Sequence, residues 1–195
     1  MIWAVVLAAG ESRRMGTQKL LLPFGGATVV ESVVRAALDS SLDETLVVLG
    51  ADAARIRQAL KSYPLTFATN KDYRLGMLSS VQAGFRALPA GAEAAVVMLG
   101  DQPAIPAAVI DGLVRAFRRK GWGIAVPVHG GRRGHPLLVG TAFRDEVLAL
   151  DPAVGLRQLV LAHPEAVEEV AVDEAAVLTD MDRAEDYKKL CARRR

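Results

Sequence analysis

The feature that most constrains the fold is an alternation of short, mostly apolar segments with longer amphipathic ones. Short runs of Val, Leu, Ala and Ile are typical of strands that helices cover on both faces, as in a parallel sheet. The sequence predicts strands of this kind at residues 3–7, 46–49, 65–68, 95–99, 124–128 and 167–172.

Between these strands, apolar residues recur at spacings of three and four, which predicts helices lying on the sheet. The helices are expected at residues 29–38, 53–60, 79–88, 107–119 and 144–150. This alternation indicates a Rossmann-like, three-layer α/β/α sandwich with a mostly parallel sheet, whose ligands bind outside the carboxyl ends of the strands. We expect one domain over residues 1–190 and a basic tail at 191–195.

Composition excludes several classes of protein. Of the 195 residues, 51% are hydrophobic and 24% are charged, which excludes disorder as the main state. The net charge is +2, but Lys188, Lys189 and residues 193–195 supply five of the 24 basic groups. Since nucleic-acid-binding proteins usually spread basic residues over a binding face, we expect no nucleic-acid partner.

The apolar runs bear on the cellular location of the protein, and the cysteine count bears on the metal ligands that it can offer. The longest apolar run, residues 2–9, is far shorter than the roughly 18–20 residues that cross a bilayer, and no basic segment precedes it. We therefore expect a cytoplasmic protein without a membrane partner. With Cys191 as the one cysteine, a bound metal must be held by oxygen.

The loop after the first predicted strand is suited to an anion. It reads LAAGESRRMGTQKLL, in which Gly10 and Gly16 let backbone N–H groups converge on phosphate oxygens. Arg13, Arg14 and Lys19 add positive charge. The glycine spacing matches neither a P-loop nor a dinucleotide fingerprint. We predict a phosphate loop of a third kind; the alternative is a surface turn with solvated basic residues.

A carboxylate stands at the end of the fourth predicted strand. Asp101 follows the apolar run 95–99, at the edge of the sheet where ligands bind. A lone carboxylate there would be protonated or would recruit a cation, and Mg²⁺ takes oxygen ligands while bridging to nucleotide phosphates. Asp101 is therefore predicted to bind Mg²⁺; a turn or a helix cap before Pro106 is the alternative.

Two further loops carry polar groups. Asn70, just past the third predicted strand, offers the donor and the acceptor that reading a nucleobase edge requires, although Asn is also common in turns. The segment 128–134 is interpreted as a mobile excursion. Within and just after it, Arg132, Arg133 and His135 suit an anionic acceptor, and a glycine hairpin with exposed arginines is the alternative.

The chain resembles a known family. LAAGESRRMGTQKLLLPFGG is similar to the opening signature of the MobA-like nucleotidyltransferases, LAAGxSxRMGxxKxLLPxxG, and is closest to their cytidylyltransferase branch. Further similarities recur in family order at Asn70 to Ser80, at GDQP (100–103), at GHP (134–136) and at TDMDRAEDY from Thr179. The resemblance implies the fold of nucleotide-diphospho-sugar transferases.

The resemblance also implies roles for individual residues. The implied nucleotide-binding residues are Ala8 and Ala9 at the base, Asn70, Gly76 and Ser80 at the nucleoside, and Gly10, Ser12, Arg14 and Lys19 along the triphosphate.

A second metal ligand is implied near the end of the chain. The resemblance places Asp182 beside Asp101 as a Mg²⁺ ligand, with Asp180 completing an Asp-x-Asp arrangement. An N-cap pair of Asp182 with Glu185 is the alternative. Here the chain departs from the usual DxDTPEDY by carrying Arg and Ala in place of Thr and Pro.

The implied reaction is attack of an acceptor phosphate on the α-phosphorus of a nucleotide, with release of pyrophosphate. Arg14, Lys19 and Asp101 would be the catalytic residues, and Ala9 favours CTP because guanylyltransferases of the family usually have Gly there. The implied acceptor is the phosphorylated pterin that carries molybdenum, with transient contact to a recipient molybdoenzyme or its chaperone. Alternatives are guanylyl transfer, sugar- or polyol-phosphate loading, or a non-catalytic nucleotide- or cofactor-binding accessory protein.

Overall fold

A computed structural model describes residues 1–193 and contains ten strands and seven α-helices in that range. The strands are β1 (Ile2–Ala8), β2 (Pro23–Phe24), β3 (Ala27–Thr28), β4 (Glu44–Leu49), β5 (Thr66–Thr69), β6 (Ala94–Leu99), β7 (Ile124–His129), β8 (Arg132–Arg133), β9 (Leu137–Gly140) and β10 (Val167–Ala171). The helices are α1 (Val29–Leu38), α2 (Ala53–Ala59), α3 (Met77–Ala87), α4 (Ala107–Lys120), α5 (Arg144–Ala149), α6 (Arg157–Ala162) and α7 (Ala184–Arg193).

The main sheet has the strand order β10-β7-β9-β6-β1-β4-β5. β1 pairs in parallel with both β4 and β6, and β4 with β5, so their carboxyl ends meet at one edge. β9 runs antiparallel between β6 and β7, and β8 is added as a short antiparallel partner of β7. The predicted mostly parallel α/β sheet is therefore confirmed.

Helices cover both faces of the sheet. Because side chains alternate along a strand, Val6 of β1 packs in one cluster with α1, α2 and α4, whereas Val5 packs in the other with α3, α5 and α6. Ile110 and Phe85 are fully buried on the two opposite faces. The three predicted layers are thus present.

Helix α1 shows how local sequence fixes an element. Its N-cap Thr28 and the third helical residue Glu31 form a capping box, in which the Glu31 carboxylate accepts the Thr28 N–H at 2.7 Å. Its apolar residues then recur on one buried face. In the part of the chain that the structure describes, no helix is long and apolar enough to span a membrane.

The structure differs from the sequence predictions in several places. Strands β2, β3 and β9 and helix α6 were not predicted, because each is short and lies in a region rich in turn residues. Residues 128–134, interpreted as a mobile excursion, form the β7–β8 hairpin instead. Residues 191–193, assigned to the basic tail, continue α7, and Cys191 packs against the core; residues 194 and 195 lie outside the described residues.

Candidate active site

A cavity of about 230 Å³ opens at the carboxyl ends of β1 and β6, where an α/β sheet is expected to bind its ligand. The structure brings seven predicted residues to its wall: Ala9, Gly10, Ser12, Lys19, Gly76, Ser80 and Asp101. A larger cavity, of about 530 Å³, lies between α1 and segment 103–107 and is lined by other residues. We place the site in the smaller cavity because the predicted chemical groups converge there.

The β1 loop forms one wall of the cavity as two short 3-10 turns, Arg13–Met15 and Lys19–Leu21. Ser12 adopts a left-handed backbone conformation with φ of 53°, which is uncommon outside glycine. Its hydroxyl accepts the Lys19 N–H at 3.1 Å and thereby ties the two turns together. This hydrogen bond gives the predicted loop a defined conformation.

Asp101 faces this loop from the end of β6. The preceding Gly100 donates its N–H to the Leu7 carbonyl at 3.0 Å, and a Cβ at Gly100 would lie 2.6 Å from the same oxygen. Only glycine therefore lets the end of β6 lie this close to β1. The Asp101 carboxylate forms an ion pair with Lys19, and the N-cap of α4 is Pro106, so Asp101 does not cap that helix.

Lys19 joins the carboxylates of the site. Besides the pair with Asp101, its ammonium contacts Asp182 at 3.4 Å and donates to the Met181 carbonyl at 2.9 Å. Arg14 also pairs with Asp182, at 2.5 Å. Lys19 and Asp101 are mostly buried, with side chains 15% and 18% exposed, so their pair is little screened by solvent.

The alternative role of Asp182 as an N-cap is not observed. The Arg183 N–H is accepted by the Asp186 carboxylate at 2.9 Å, so Asp186 performs the capping that Glu185 was expected to share with Asp182. The Asp182 carboxylate instead faces the two basic residues of the β1 loop.

The donor set suits Mg²⁺ in one of its common modes. In the described residues, no group of three or more His, Cys, Asp or Glu side chains could hold a metal. Two carboxylates, Asp101 and Asp182, nevertheless converge on a single cation, the Lys19 ammonium. Mg²⁺ is usually held by one or two carboxylates together with substrate phosphates, and these two acids fit that pattern.

Asn70 lies beneath the cavity wall and not on its surface. It is 5% exposed, and its amide donates to the Ser79 and Ser80 hydroxyls at 2.8 and 3.0 Å and accepts the Asp72 N–H at 2.9 Å. This matches the turn chemistry that was the alternative for Asn70. Ser80 itself reaches the cavity.

Ala8 and Ala9 also differ in whether they reach the cavity. Ala8 is fully buried in β1, whereas Ala9 lines the cavity directly beyond the strand. The Ala9 carbonyl accepts the Ala51 N–H at 3.0 Å, which fixes the strand end against the loop after β4.

The predicted acceptor residues divide into two groups. Arg132 and Arg133 are exposed on the β7–β8 hairpin, and Arg133 pairs with Glu169 at 2.7 Å. Gly130 and Gly131, both with positive φ, form the turn, as the hairpin alternative requires. His135 is closer to the site: burial lowers its pKa, while the charges of Asp180 and Asp101 act to raise it.

The family model for a MobA-like NTP transferase domain matches residues 4–167, which is most of the chain. The chain belongs to this family. The resemblance seen in the sequence is therefore confirmed, and the motif residues of the β1 loop, Gly100 to Pro103 and Gly134 to Pro136 lie within the matched range.

Members of the MobA-like family with curated descriptions include enzymes for two different nucleotides. The chain is 26% identical, over 94% of its length and 92% of the relative's, to the molybdenum cofactor cytidylyltransferase of Escherichia coli K12. It is 32% identical, over 93% of its length and 89% of the relative's, to a probable molybdenum cofactor guanylyltransferase of Mycobacterium marinum.

Among solved structures, the chain is similar to a Mycobacterium tuberculosis H37Rv protein crystallised in complex with manganese. The two share 28% identity and a TM-score of 0.83, with 98% of each chain covered. The chain also shares its fold with a solved nucleotidyl transferase from Methanothermobacter, at 27% identity and a TM-score of 0.84, so the predicted nucleotide-diphospho-sugar transferase architecture is confirmed.

Sequence reasoning assigned no role to several residues at this cavity. Its wall also includes Leu7, Leu20, Tyr73, Met77 and Leu99. Tyr73 belongs only to the family motif, and the side chains of the other four carry no ionisable or hydrogen-bonding group. Gln102 is 4% exposed and donates to the Asp180 carboxylate at 3.0 Å, while its own carbonyl oxygen has no partner among residues 1–193. Gln18, whose side chain is buried within the β1 loop, stands at a variable position of the family motif.

Proposed function

We propose that this protein transfers CMP from CTP to the terminal phosphate of molybdopterin bearing molybdenum and releases pyrophosphate. The observation that carries the proposal is the convergence of the glycine-containing β1 loop, Lys19 and Asp101 on one cavity, with the Asp182 carboxylate paired to the same Lys19 ammonium. The family membership and the cytidylyltransferase relative support the same reaction.

The triphosphate binds along the β1 loop. Gly10 has open space around its α-carbon, so phosphate oxygens can approach the backbone closely there. Arg14 and Lys19 supply the positive charge that a triphosphate needs, and both now pair with carboxylates of the same site. When nucleotide binds, these two cations exchange carboxylate partners for phosphate oxygens.

Mg²⁺ is the expected cofactor, held by Asp101 and Asp182. The relative crystallised with manganese supports a divalent cation in this fold. When bound, the ion would neutralise phosphate charge and polarise a phosphoryl oxygen. Asp101 and Asp182, now compensated by the Lys19 ammonium, would be compensated by the ion when it is bound.

The transfer itself needs alignment more than acid–base chemistry. An oxygen of the acceptor phosphate forms a bond to the α-phosphorus, and the bond to the β-phosphate oxygen breaks, so that pyrophosphate leaves with the electron pair. The acceptor phosphate is already anionic near neutral pH, so no general base is required. Arg14 and Lys19 hold the reacting groups in line and stabilise the charge that develops.

The acceptor is expected on the side of the cavity nearest His135. His135 lies within the electrostatic influence of Asp101, and burial favours its neutral form. Arg132 and Arg133, exposed on the hairpin, offer charge for the anionic parts of the acceptor. Release of the product to a recipient molybdoenzyme or its chaperone would involve a transient contact.

Preference for CTP rests on Ala9, which lines the cavity where guanylyltransferases of the family usually have glycine. A single methyl group discriminates by only about 1–3 kcal/mol. Guanylyl transfer is the second candidate function, because the probable guanylyltransferase of Mycobacterium marinum shares more identity with the chain than the cytidylyltransferase does.

Pyrophosphate release tests the proposal. Purified protein with Mg²⁺ and molybdenum-bearing molybdopterin should release pyrophosphate with CTP faster than with GTP, ATP or UTP. Asp101→Asn should lower the rate at least about 100-fold, because it removes one charge from the metal site. Glu93→Gln, which changes an exposed carboxylate paired with the N-terminus, is the matched control. Preference for GTP would favour the second candidate, and binding without pyrophosphate release would favour an accessory protein.

A further inference from the structure

Gln18 is a buried amide at the centre of the β1 loop. Its side chain is enclosed, with the residue 6% exposed, and both ends of the amide are used. The carbonyl oxygen accepts the Ser12 hydroxyl at 2.8 Å and the Leu20 N–H at 3.4 Å. The NH₂ group donates to the Gly10 carbonyl at 3.2 Å and contacts the Asp52 carboxylate at 3.5 Å.

These partners fix the orientation of the amide. Two donors face its oxygen and two acceptors face its nitrogen, so a flipped amide would place oxygen against the Gly10 carbonyl and the Asp52 carboxylate. The side chain therefore has one favourable arrangement, and it connects the first half of the loop, at Gly10 and Ser12, to the second half, at Leu20.

The hydrogen bonds of Gln18 hold two residues in left-handed backbone conformations. Within residues 1–193, the non-glycine residues with positive φ are Ser12, at 53°, and Asp52, at 54°. Both contact the Gln18 amide, although Asp52 is 34 positions away in sequence. Left-handed non-glycine residues persist where surrounding contacts over-determine them, and such residues cluster at functional sites.

Lys19 depends on the same arrangement. It follows Gln18 directly, and its backbone N–H donates to the Ser12 hydroxyl, which in turn donates to Gln18. A chain of hydrogen bonds thus runs from the buried amide through Ser12 to the backbone of the residue whose ammonium reaches Asp101.

We propose that Gln18 is a positioning residue of the phosphate site: its amide holds Gly10, Ser12 and Lys19 in the geometry that receives the triphosphate. The inference rests on the proposed function, because it takes the β1 loop as the phosphate-binding element. Because its side chain is buried within the loop, Gln18 acts through its hydrogen-bond partners and not by contact with the nucleotide.

Binding of inorganic tripolyphosphate tests this role without reference to base or acceptor. Calorimetry should show that Gln18→Met, which keeps the length but removes the hydrogen bonds, weakens tripolyphosphate binding about tenfold, as expected for the loss of one or two net hydrogen bonds. Hydrogen exchange should accelerate selectively at residues 10–19 and stay unchanged in β1. Gln58→Met, at an exposed glutamine of α2, is the matched control and should change neither measurement.

Two further variants, which change charge, test the same contact if Gln18→Met fails to fold. In Gln18→Glu, a carboxylate would face the Asp52 carboxylate, and binding should fall by about tenfold or more. Adding Asp52→Asn supplies an amide that can donate to Glu at position 18, and should recover most of the loss. A double variant as weak as Gln18→Glu alone would contradict the proposed contact.

The outcomes separate the two proposals. Wild-type protein that binds neither tripolyphosphate nor CTP at this loop would overturn the proposed function and, with it, the role of Gln18. Wild-type protein that binds both, together with a Gln18→Met variant of unchanged affinity and exchange, would overturn the role of Gln18 alone. An equal acceleration of exchange in β1 would show that Gln18 supports the whole fold rather than the phosphate loop.

Discussion

At the scale of single residues, Lys19 connects the two halves of the proposed mechanism. Its ammonium lies against Asp101 and Asp182, the same carboxylates that we propose for Mg²⁺. A metal ion and Lys19 therefore compete for the same oxygens, and the triphosphate relieves this competition by giving Lys19 other anionic partners. Nucleotide and metal should bind more tightly together than separately.

The variant Lys19→Met separates the contribution of Lys19 to the reaction rate from its competition with the metal ion. We expect kcat/KM to fall about 100-fold or more, because a cation that stabilises the developing charge is lost. In the same variant, Mn²⁺ should bind more tightly in the absence of nucleotide, since the competing ammonium is gone. Electron paramagnetic resonance of free Mn²⁺ measures this affinity, and weaker Mn²⁺ binding would show that Lys19 supports the carboxylates instead of competing for them.

Ala9 tests base selection. We expect Ala9→Gly to raise the GTP-to-CTP ratio of kcat/KM about tenfold, because removal of the methyl group enlarges the cavity at the position that distinguishes the two branches of the family. Steady-state pyrophosphate release with each nucleotide measures the ratio. A ratio that does not change would mean that other parts of the cavity wall, such as Tyr73 or Met77, select the base.

At the residue level, sequence indicates which groups meet where chemistry and position coincide. Asp101 and Lys19 follow apolar strands or glycines within a short segment, so their meeting at one cavity could be predicted, while their roles stay predictions. Gln18 and Gln102 could not, because the partners that define them, Asp52 and Asp180, are 34 and 78 positions away. Asn70 was placed correctly in its loop, but its burial depends on the packing of Ser79 and Ser80.

At the scale of elements, the β7–β8 hairpin is held to the segment before α7 by a close backbone approach. A Cβ at Gly134 would lie 2.3 Å from the Val177 carbonyl oxygen, and the next N–H, of His135, donates to that same oxygen at 2.9 Å. Gly134 therefore permits the contact that fixes the backbone of His135 against Val177.

Gly134→Ala should lower the free energy of unfolding by about 1–3 kcal/mol, as overpacking against backbone does elsewhere. Gly91→Ala is the control, because nothing lies within 4 Å of a Cβ there and its φ is not positive. Urea denaturation measures both. An equally small loss in the two variants would mean that the hairpin moves aside without cost.

His163 links α5 to the turn before β10 and gives a pH-dependent contribution. Its imidazole contacts Glu146 at 2.8 Å and Glu165 at 3.5 Å, and the hydrogen bond to Glu146 raises the pKa of His163. The stabilisation is therefore fully present below the unfolded value of about 6.5 and is lost as the pH rises through the higher folded value.

His163→Gln should accordingly cost more stability at pH 5.5 than at pH 8.5. Urea denaturation of both proteins at the two pH values measures the difference, and Glu146→Gln should reduce the pH dependence in the same way. A His163→Gln penalty that is equal at both pH values would contradict the proposed charge interaction.

Element-level prediction followed the apolar pattern of each segment together with the residues that flank it. Strands β1, β4, β6 and β7 were predicted because each has six or seven residues, most of them apolar. β9 has four residues and follows a proline, and α6 has six residues between a glycine turn and another proline. Between such turn residues, a pattern this short does not distinguish a strand or helix from a loop, whereas β5 and α5, which are equally short, were predicted.

At the scale of the whole molecule, the sheet assembles the site from distant segments. Parallel pairing of β6 with β1 puts Asp101 opposite the β1 loop, and the segment before α7 brings Asp182 against Arg14 and Lys19 of that loop. The class of fold could be predicted from the alternation of segments. The strand order could not, because the insertion of antiparallel β9 between β6 and β7 depends on pairings that no local pattern records.

The central claim is that the β1 loop holds a nucleoside triphosphate opposite a cation-binding pair of carboxylates. A crystal structure with Mg²⁺ and a CTP analogue carrying a methylene bridge between the α- and β-phosphates tests it most directly. We predict phosphates against Gly10, Ser12 and Lys19, with the metal between phosphate oxygens and Asp101 and Asp182. A nucleotide bound in another cavity, or a metal that contacts neither carboxylate, would contradict the account.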